Sequence, residues 1–186
     1  MSRINTPSVE LSPAASKPLL AAVNQQLGVV PNLMRLVGNS PAALEGYLSL
    51  SGALGKGSLD TRLREQIALA VAEVNGCNYC LSAHTYLSSI VAQLSDAEID
   101  AARDAHSADA RTAAALRFAR SVAQTRGHVA DSDLVALRAA GFDEAQSIEI
   151  VLNVALNVLT NYVNNVAQTD VDFPVVQARA SENRAA

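Results

Sequence analysis

Residues 65–84 read EQIALAVAEVNGCNYCLSAH and hold both cysteines of the chain, Cys77 and Cys80. Glu65 stands twelve positions before the first and His84 four after the second. These residue types suit thiol redox chemistry. The thiolate is the nucleophile, and a free thiol with a pKa of about 8.5 supplies little of it at neutral pH. A helix N-terminus and a nearby histidine favour the charged form. A carboxylate can orient that histidine and take or return its proton. A second cysteine one helical turn away can close an oxidised sulfur into a disulfide. Two other readings use the same side chains. Cys77, Cys80, His84 and Glu65 count as four metal ligands, but a structural Cys2His2 site needs a second spaced pair that the chain lacks. The cysteines also read as two small buried hydrophobes.

The surrounding elements must bring these groups together. Apolar residues at Leu63, Ile67, Ala70, Val71 and Val74 follow helical spacing over 60–75. Gly76 ends that helix, and the next begins among the cysteines, so the two form a hairpin. Glu65 and His84 then lie roughly 16 and 12 Å from the turn along antiparallel axes, close enough in height to meet directly or through one water. Cys77, Cys80 and His84 occupy i, i+3 and i+7, one face of the second helix.

Further helices are expected from Ser12-Pro13 to about Leu27 and from Ser40-Pro41 to about Ala53, closed by Gly28 and by Gly55 or Gly57. Ser95-Asp96-Ala97-Glu98 is a capping box, the alanine-rich run after Asp109 ends at Gly127, and Asp143 with Gln146 opens a last helix reaching Ala167. No strand pattern occurs, so the expected fold is all-α in one domain over 1–186, with 1–11 and 173–186 as terminal extensions. Residues 60–84 and 143–167 echo one another, sharing Asp60/Asp143, Ile67/Ile150, Val71/Val154, Asn78/Asn161 and Tyr79/Tyr162, the pattern of a duplicated helix pair.

Composition narrows the function. Apolar residues make up 49% of 186, yet only three Phe, four Tyr and no Trp are among them, which favours small-residue helix packing. Net charge is −4 with no basic run, so nucleic acid has no footprint. The first residues lack the apolar core of a signal peptide, and no apolar run reaches the roughly 18 residues a membrane span needs. The expectation is a cytoplasmic protein.

Glu65, Cys77, Cys80 and His84 together form E-x11-C-x2-C-x3-H, which resembles the signature of alkylhydroperoxidase D (AhpD-like) proteins in the carboxymuconolactone decarboxylase superfamily. VPNLMRLVGNSPAALEGYLSLSGAL upstream, and RGHVADSDLVALRAAGF and NNVAQTDVDFP downstream, resemble its peroxidase-related branch. The resemblance covers nearly the whole chain. It implies an all-helical fold in homotrimers or homohexamers, reducing hydroperoxides without cofactor or metal. An external dithiol, lipoyl-bearing or thioredoxin-like, would return the electrons. Carried over by position, Cys80 is the peroxidatic cysteine, Cys77 the resolving one, and Glu65 with His84 the proton relay. Proximity to His84 also favours Cys80, whereas thioredoxin-like motifs attack with the first cysteine. Tyr79 is a departure, standing where the best-known members have histidine; with a pKa near 10 it is a poor proton shuttle.

The alternatives are a thiol–disulfide oxidoreductase or redox sensor, and a non-redox oligomeric binding protein. Tyr79 and Glu73 are candidates for the second rank around the thiols. His106 and His128 read as surface residues. Asn153, Asn157, Asn161 and Asn164 share one face of the last helix and need partners, which places them in an oligomer contact or, failing that, a substrate channel. The tail after Asp172 has nothing of its own to pack on, so Phe173, Val175 and Val176 are expected on a neighbouring subunit.

Overall fold

The computed structural model describes residues 2–179, and among them every regular element is a helix. A 3-10 turn, Ala14–Ser16, leads into α1 (Lys17–Leu27), followed by α2 (Asn32–Val37), α3 (Pro41–Leu54), α4 (Thr61–Val74) and α5 (Asn78–Ile90). Then come α6 (Asp96–Arg103), α7 (Ala110–Thr125), α8 (Asp131–Ala139) and α9 (Glu144–Ala167).

Side-chain caps fix most of the starts. Asp60 accepts from the Leu63 N–H at 2.8 Å, Asp109 from Thr112 at 2.7 Å and Asp143 from Gln146 at 2.8 Å, each satisfying a first-turn donor. Ser95 and Glu98 close the expected capping box. Ser12-Pro13 does not open α1 directly: Ser12 Oγ bonds back to the Ser8 carbonyl, and the 3-10 turn intervenes. Gly28 and Gly76 carry positive φ, 75° and 59°, where a side chain would be strained. Gly55, in contrast, ends α3 in a right-handed conformation.

α4 is the centre of the molecule, packed against α5, α6, α7 and α9. Ile67, Leu69, Ala70, Val71 and Ala72 are each at most 1% exposed, so this helix is buried nearly all round, and each Ile, Leu or Val contributes about 1.5–3 kcal/mol by leaving water. The two echoing segments differ in path. Residues 60–84 turn back at Gly76, while 143–167 run as one helix, with Leu159 where the turn would be.

Two expectations need correction. The tail packs on its own chain: the Phe173 ring centroid lies 5.9 Å from those of Tyr79 and Tyr86, and the Val176 N–H donates to Ser82 Oγ at 2.9 Å. Arg179 pairs with Asp100 and Asp104, and its N–H donates to Glu73 Oε1 at 2.6 Å. The side chains of α4, α5 and α6 thus supply the partners that reading the tail alone left out; its last residues, 180–186, lie outside the described ones. The asparagine face of α9 also turns inward, away from any oligomer contact. Asn161 and Asn164 meet Asn75 and Cys80, and Asn153 and Asn157 line an internal cavity, in keeping with the channel alternative. What α9 shows to solvent is an apolar row, Ile148, Leu152, Leu159, Tyr162 and Val166, 39–64% exposed and roughly 27 Å long. No described helix is long and apolar enough to cross a membrane.

Candidate active site

The turn at Gly76 makes Cys77 the N-cap of α5, and its sulfur accepts from the Cys80 N–H at 3.3 Å. Both sulfurs therefore sit at the positive end of a helix. They lie 2.7 Å apart as free thiols, and Asn164 Nδ2 of α9 donates to Cys80 Sγ at 3.3 Å. Cys77 is 0% exposed and Cys80 2%.

Glu65 and His84 meet across the hairpin: Glu65 Oε2 lies 2.8 Å from His84 Nδ1, with no water required between them. The ring nitrogen bound to the carboxylate carries the proton, which leaves the imidazole's other nitrogen for substrate or solvent. His84 follows Cys80 by one turn on the same face of α5.

The two thiols are driven apart in acidity. Burial pushes Cys80 up, but the hydrogen bond from Cys77, the charge of His84 and the Asn164 amide outweigh it and hold the thiol down at about 7. Asn161 adds a weaker pull, although its Nδ2 makes no hydrogen bond of regular geometry. Cys77, donating to that thiolate and buried, is pushed well up. Burial lowers His84, yet the carboxylate of Glu65 more than compensates and raises it. The arrangement favours one thiolate, one thiol and an imidazolium paired with a carboxylate.

Cys80, His84 and Glu65 open on a cavity of about 560 Å³ walled by apolar side chains that include Leu27, Met34, Leu48 and Leu87. Tyr47 of α3 also lines it. Burial, then the charges of Cys80 and Glu65, push that phenol up to about 12, so it stays a neutral hydrogen-bond donor.

Of the remaining sequence candidates, Tyr79 lines this cavity together with Cys80, whereas Glu73 does not line it. The Tyr79 hydroxyl accepts from the Leu33 N–H at 3.0 Å, helping to hold the start of α2. Glu73 binds Arg103 at 2.7 Å and the tail, away from the thiols. Among the described residues no group of three or more His, Cys, Asp and Glu converges to hold a metal ion. Tyr47 and the Asn164 contact with Cys80 were not drawn from the sequence. The signal for the second was present, since amides repeating on one apolar helix face must find a buried partner; nothing local marks Tyr47.

The carboxymuconolactone decarboxylase family model matches residues 41–125, a span that contains Glu65, Cys77, Cys80 and His84. A solved AhpD-core, peroxidase-related protein from Ralstonia eutropha superposes with a TM-score of 0.82 at 25% identity, covering 92% of each chain. Residues 41–125 thus match the carboxymuconolactone decarboxylase family, and the chain as a whole carries the AhpD-like fold. Other structures share the AhpD-like fold at lower identity. A peroxidase-related protein from a Silicibacter species gives a TM-score of 0.80 at 22% identity over 91% of each chain. The debrominase Bmp8 gives 0.74 at 21% over 86% of this chain and 87% of its own. No curated protein matches the AhpD-like chain in sequence. The matched family is named for an enzyme, and two of the similar structures are named as peroxidase-related proteins.

Proposed function

We propose that the protein is a cofactor-free thiol peroxidase working through Cys80 and Cys77. The observation that carries this reading is the split in acidity between two sulfurs 2.7 Å apart, beside a histidine–carboxylate pair and an apolar cavity.

Cys80 thiolate attacks the terminal oxygen of a hydroperoxide. The O–O bond breaks, the sulfur becomes a sulfenic acid, and the departing alkoxide takes a proton from His84 to leave as an alcohol. Glu65 stabilises the imidazolium before the step and holds the ring in place after it. Cys77 thiol then displaces hydroxide from the sulfenic acid; its proton leaves with that hydroxide as water, and a disulfide closes. An external dithiol reduces the disulfide by exchange, regenerating two thiols and becoming a disulfide itself. The near-complete burial of both sulfurs favours a small oxidant over another protein's disulfide, and a slender lipoyl-type arm over a broad thioredoxin-like surface. The exposed apolar row on α9 supports a homo-oligomer, trimer or hexamer, since monomers rarely show such a stripe to water.

The test is titration of the reduced protein with an equimolar organic hydroperoxide, following free thiols and intact mass. Wild type loses both thiols, Cys77→Ser stops at a sulfenic acid, and Cys80→Ser does not react. Retention of both thiols by wild type over minutes would remove hydroperoxide as the oxidant and leave disulfide exchange as the activity to pursue.

A further inference from the structure

Besides Cys80 itself, the cavity has three side chains of acidic or basic type in its wall: Glu65, His84 and Arg64. Glu65 and His84 satisfy each other. Arg64 does not share in that pair. Its Nη2 donates to Thr61 Oγ1 at 3.0 Å, its Nε is buried with no acceptor, and among the described residues no carboxylate lies within ion-pair distance of it. A guanidinium that is partly withdrawn from water and lacks a carboxylate is costly unless something anionic joins it. Its planar fork suits the two oxygens of a carboxylate.

The position is also telling. Arg64 and Ala68, both in the cavity wall, are one turn apart on α4, and Ser51 and Leu54 of α3 line the wall with them. A ligand in this space meets a thiolate, a long apolar surface and one unpaired cation. The volume, about 560 Å³, is far more than hydrogen peroxide fills and lies within the range of pockets for whole organic ligands.

We propose that the preferred substrates are hydroperoxides carrying a carboxylate on an apolar chain, with Arg64 binding the carboxylate while Cys80 meets the peroxide. This rests on the peroxidase reading for its oxygen chemistry: Cys80 takes the terminal oxygen, the O–O bond breaks, and the product is the hydroxy acid with its carboxylate unchanged. Arg64 is a specificity residue and moves no proton.

The experiment pairs a medium-chain hydroperoxy acid with its methyl ester, which is equal in chain and peroxide but uncharged. Wild type is expected to prefer the acid by about tenfold to a hundredfold in kcat/KM, the range that charged hydrogen bonds give, and to do so through KM. In Arg64→Gln the acid-to-ester ratio falls toward unity, and Arg64→Lys recovers part of it. Calorimetry with the corresponding hydroxy acid and hydroxy ester on the reduced protein reads the same preference without turnover. Equal binding of acid and ester by wild type overturns the proposal. So does an acid preference untouched by Arg64→Gln, which would leave Arg64 as a support for the C-terminus of α3 beside Gly55. If neither hydroperoxide oxidises the thiols, the peroxidase reading fails by itself; Arg64-dependent binding of the hydroxy acid then still upholds the carboxylate site.

Discussion

Asn164→Leu tests the electrostatics of the thiol pair most sharply. The amide donates to Cys80 Sγ at 3.3 Å from a helix that shares no local sequence with the cysteines, and Leu keeps much of its volume without the donor. A hydrogen bond to a charged group is worth about 1.5–3 kcal/mol, and one pKa unit corresponds to about 1.4 kcal/mol. Loss of this bond, longer than ideal, should therefore raise Cys80 from about 7 by roughly one to two units. At pH 7 the thiolate then falls from about half of the molecules to between about a tenth and a hundredth. The oxidation rate at that pH should drop by about fivefold to fiftyfold. Above pH 9 the two proteins should converge, because a more basic thiolate is intrinsically at least as nucleophilic. The assay is the pH titration of thiolate ultraviolet absorbance in a Cys77→Ser background, where one thiol remains, with single-turnover oxidation alongside. A midpoint in Asn164→Leu within a few tenths of the parent, in a variant whose circular dichroism is unchanged, would show that the amide does not stabilise the thiolate. The acidity of Cys80 would then have to come from its other neighbours alone, and the reasoning that assigns Asn164 a share of it would be refuted.

Glu65→Gln removes the carboxylate that raises His84, so the imidazolium should be lost at lower pH and Cys80 should become less acidic, visible as an upward shift of the rate profile's acid limb. Stability should follow the same linkage. Cys80 has a folded pKa of about 7, below the free thiol's about 8.5, so its contribution is full above about 8.5 and fades as pH falls through about 7. The urea midpoint of wild type relative to Cys80→Ala should accordingly gain between those pH values. Phe173→Ala should cost about 0.5–1.5 kcal/mol from the lost ring contacts and loosen the tail, read as faster amide exchange around Val176 and Ala178. Leu159→Glu, placed in the exposed row of α9, should lower the mass measured by light scattering while leaving the helical signal intact.

The sequence made local features legible. Asp and Ser caps, the break at Gly76 and the one-face spacing of Cys77, Cys80 and His84 are all set by interactions within a few residues, and the hairpin follows from them. Even the Glu65–His84 meeting was accessible, because two helices joined by a tight turn have a known register. What stayed hidden depends on how distant pieces dock. The asparagines of α9 were seen to need partners, but whether those lay in the same chain turns on the packing of α9 against α4 and α5. Tyr47 carries no spacing signal, since α3 reaches the cavity only in the folded molecule. The tail looked partnerless because its partners, Tyr79, Tyr86, Ser82 and Glu73, are scattered among residues with other apparent duties.

The division between local and distant contacts bears on how the chain comes into the world. Glu65, Cys77, Cys80 and His84 span one hairpin and can meet as soon as it emerges, at low loop-closure cost. Asn164 is 84 residues from the sulfur it touches and arrives only when the final long helix settles. Until then the cysteines have their geometry but lack the desolvated amide shell that sharpens one of them. A partly folded chain should therefore carry ordinary thiols, with the lowered Cys80 pKa arriving only when the molecule is complete. Thiol acidity doubles as a readout of folding: a partly folded or heat-damaged copy should declare itself by a sulfur that titrates like an ordinary cysteine.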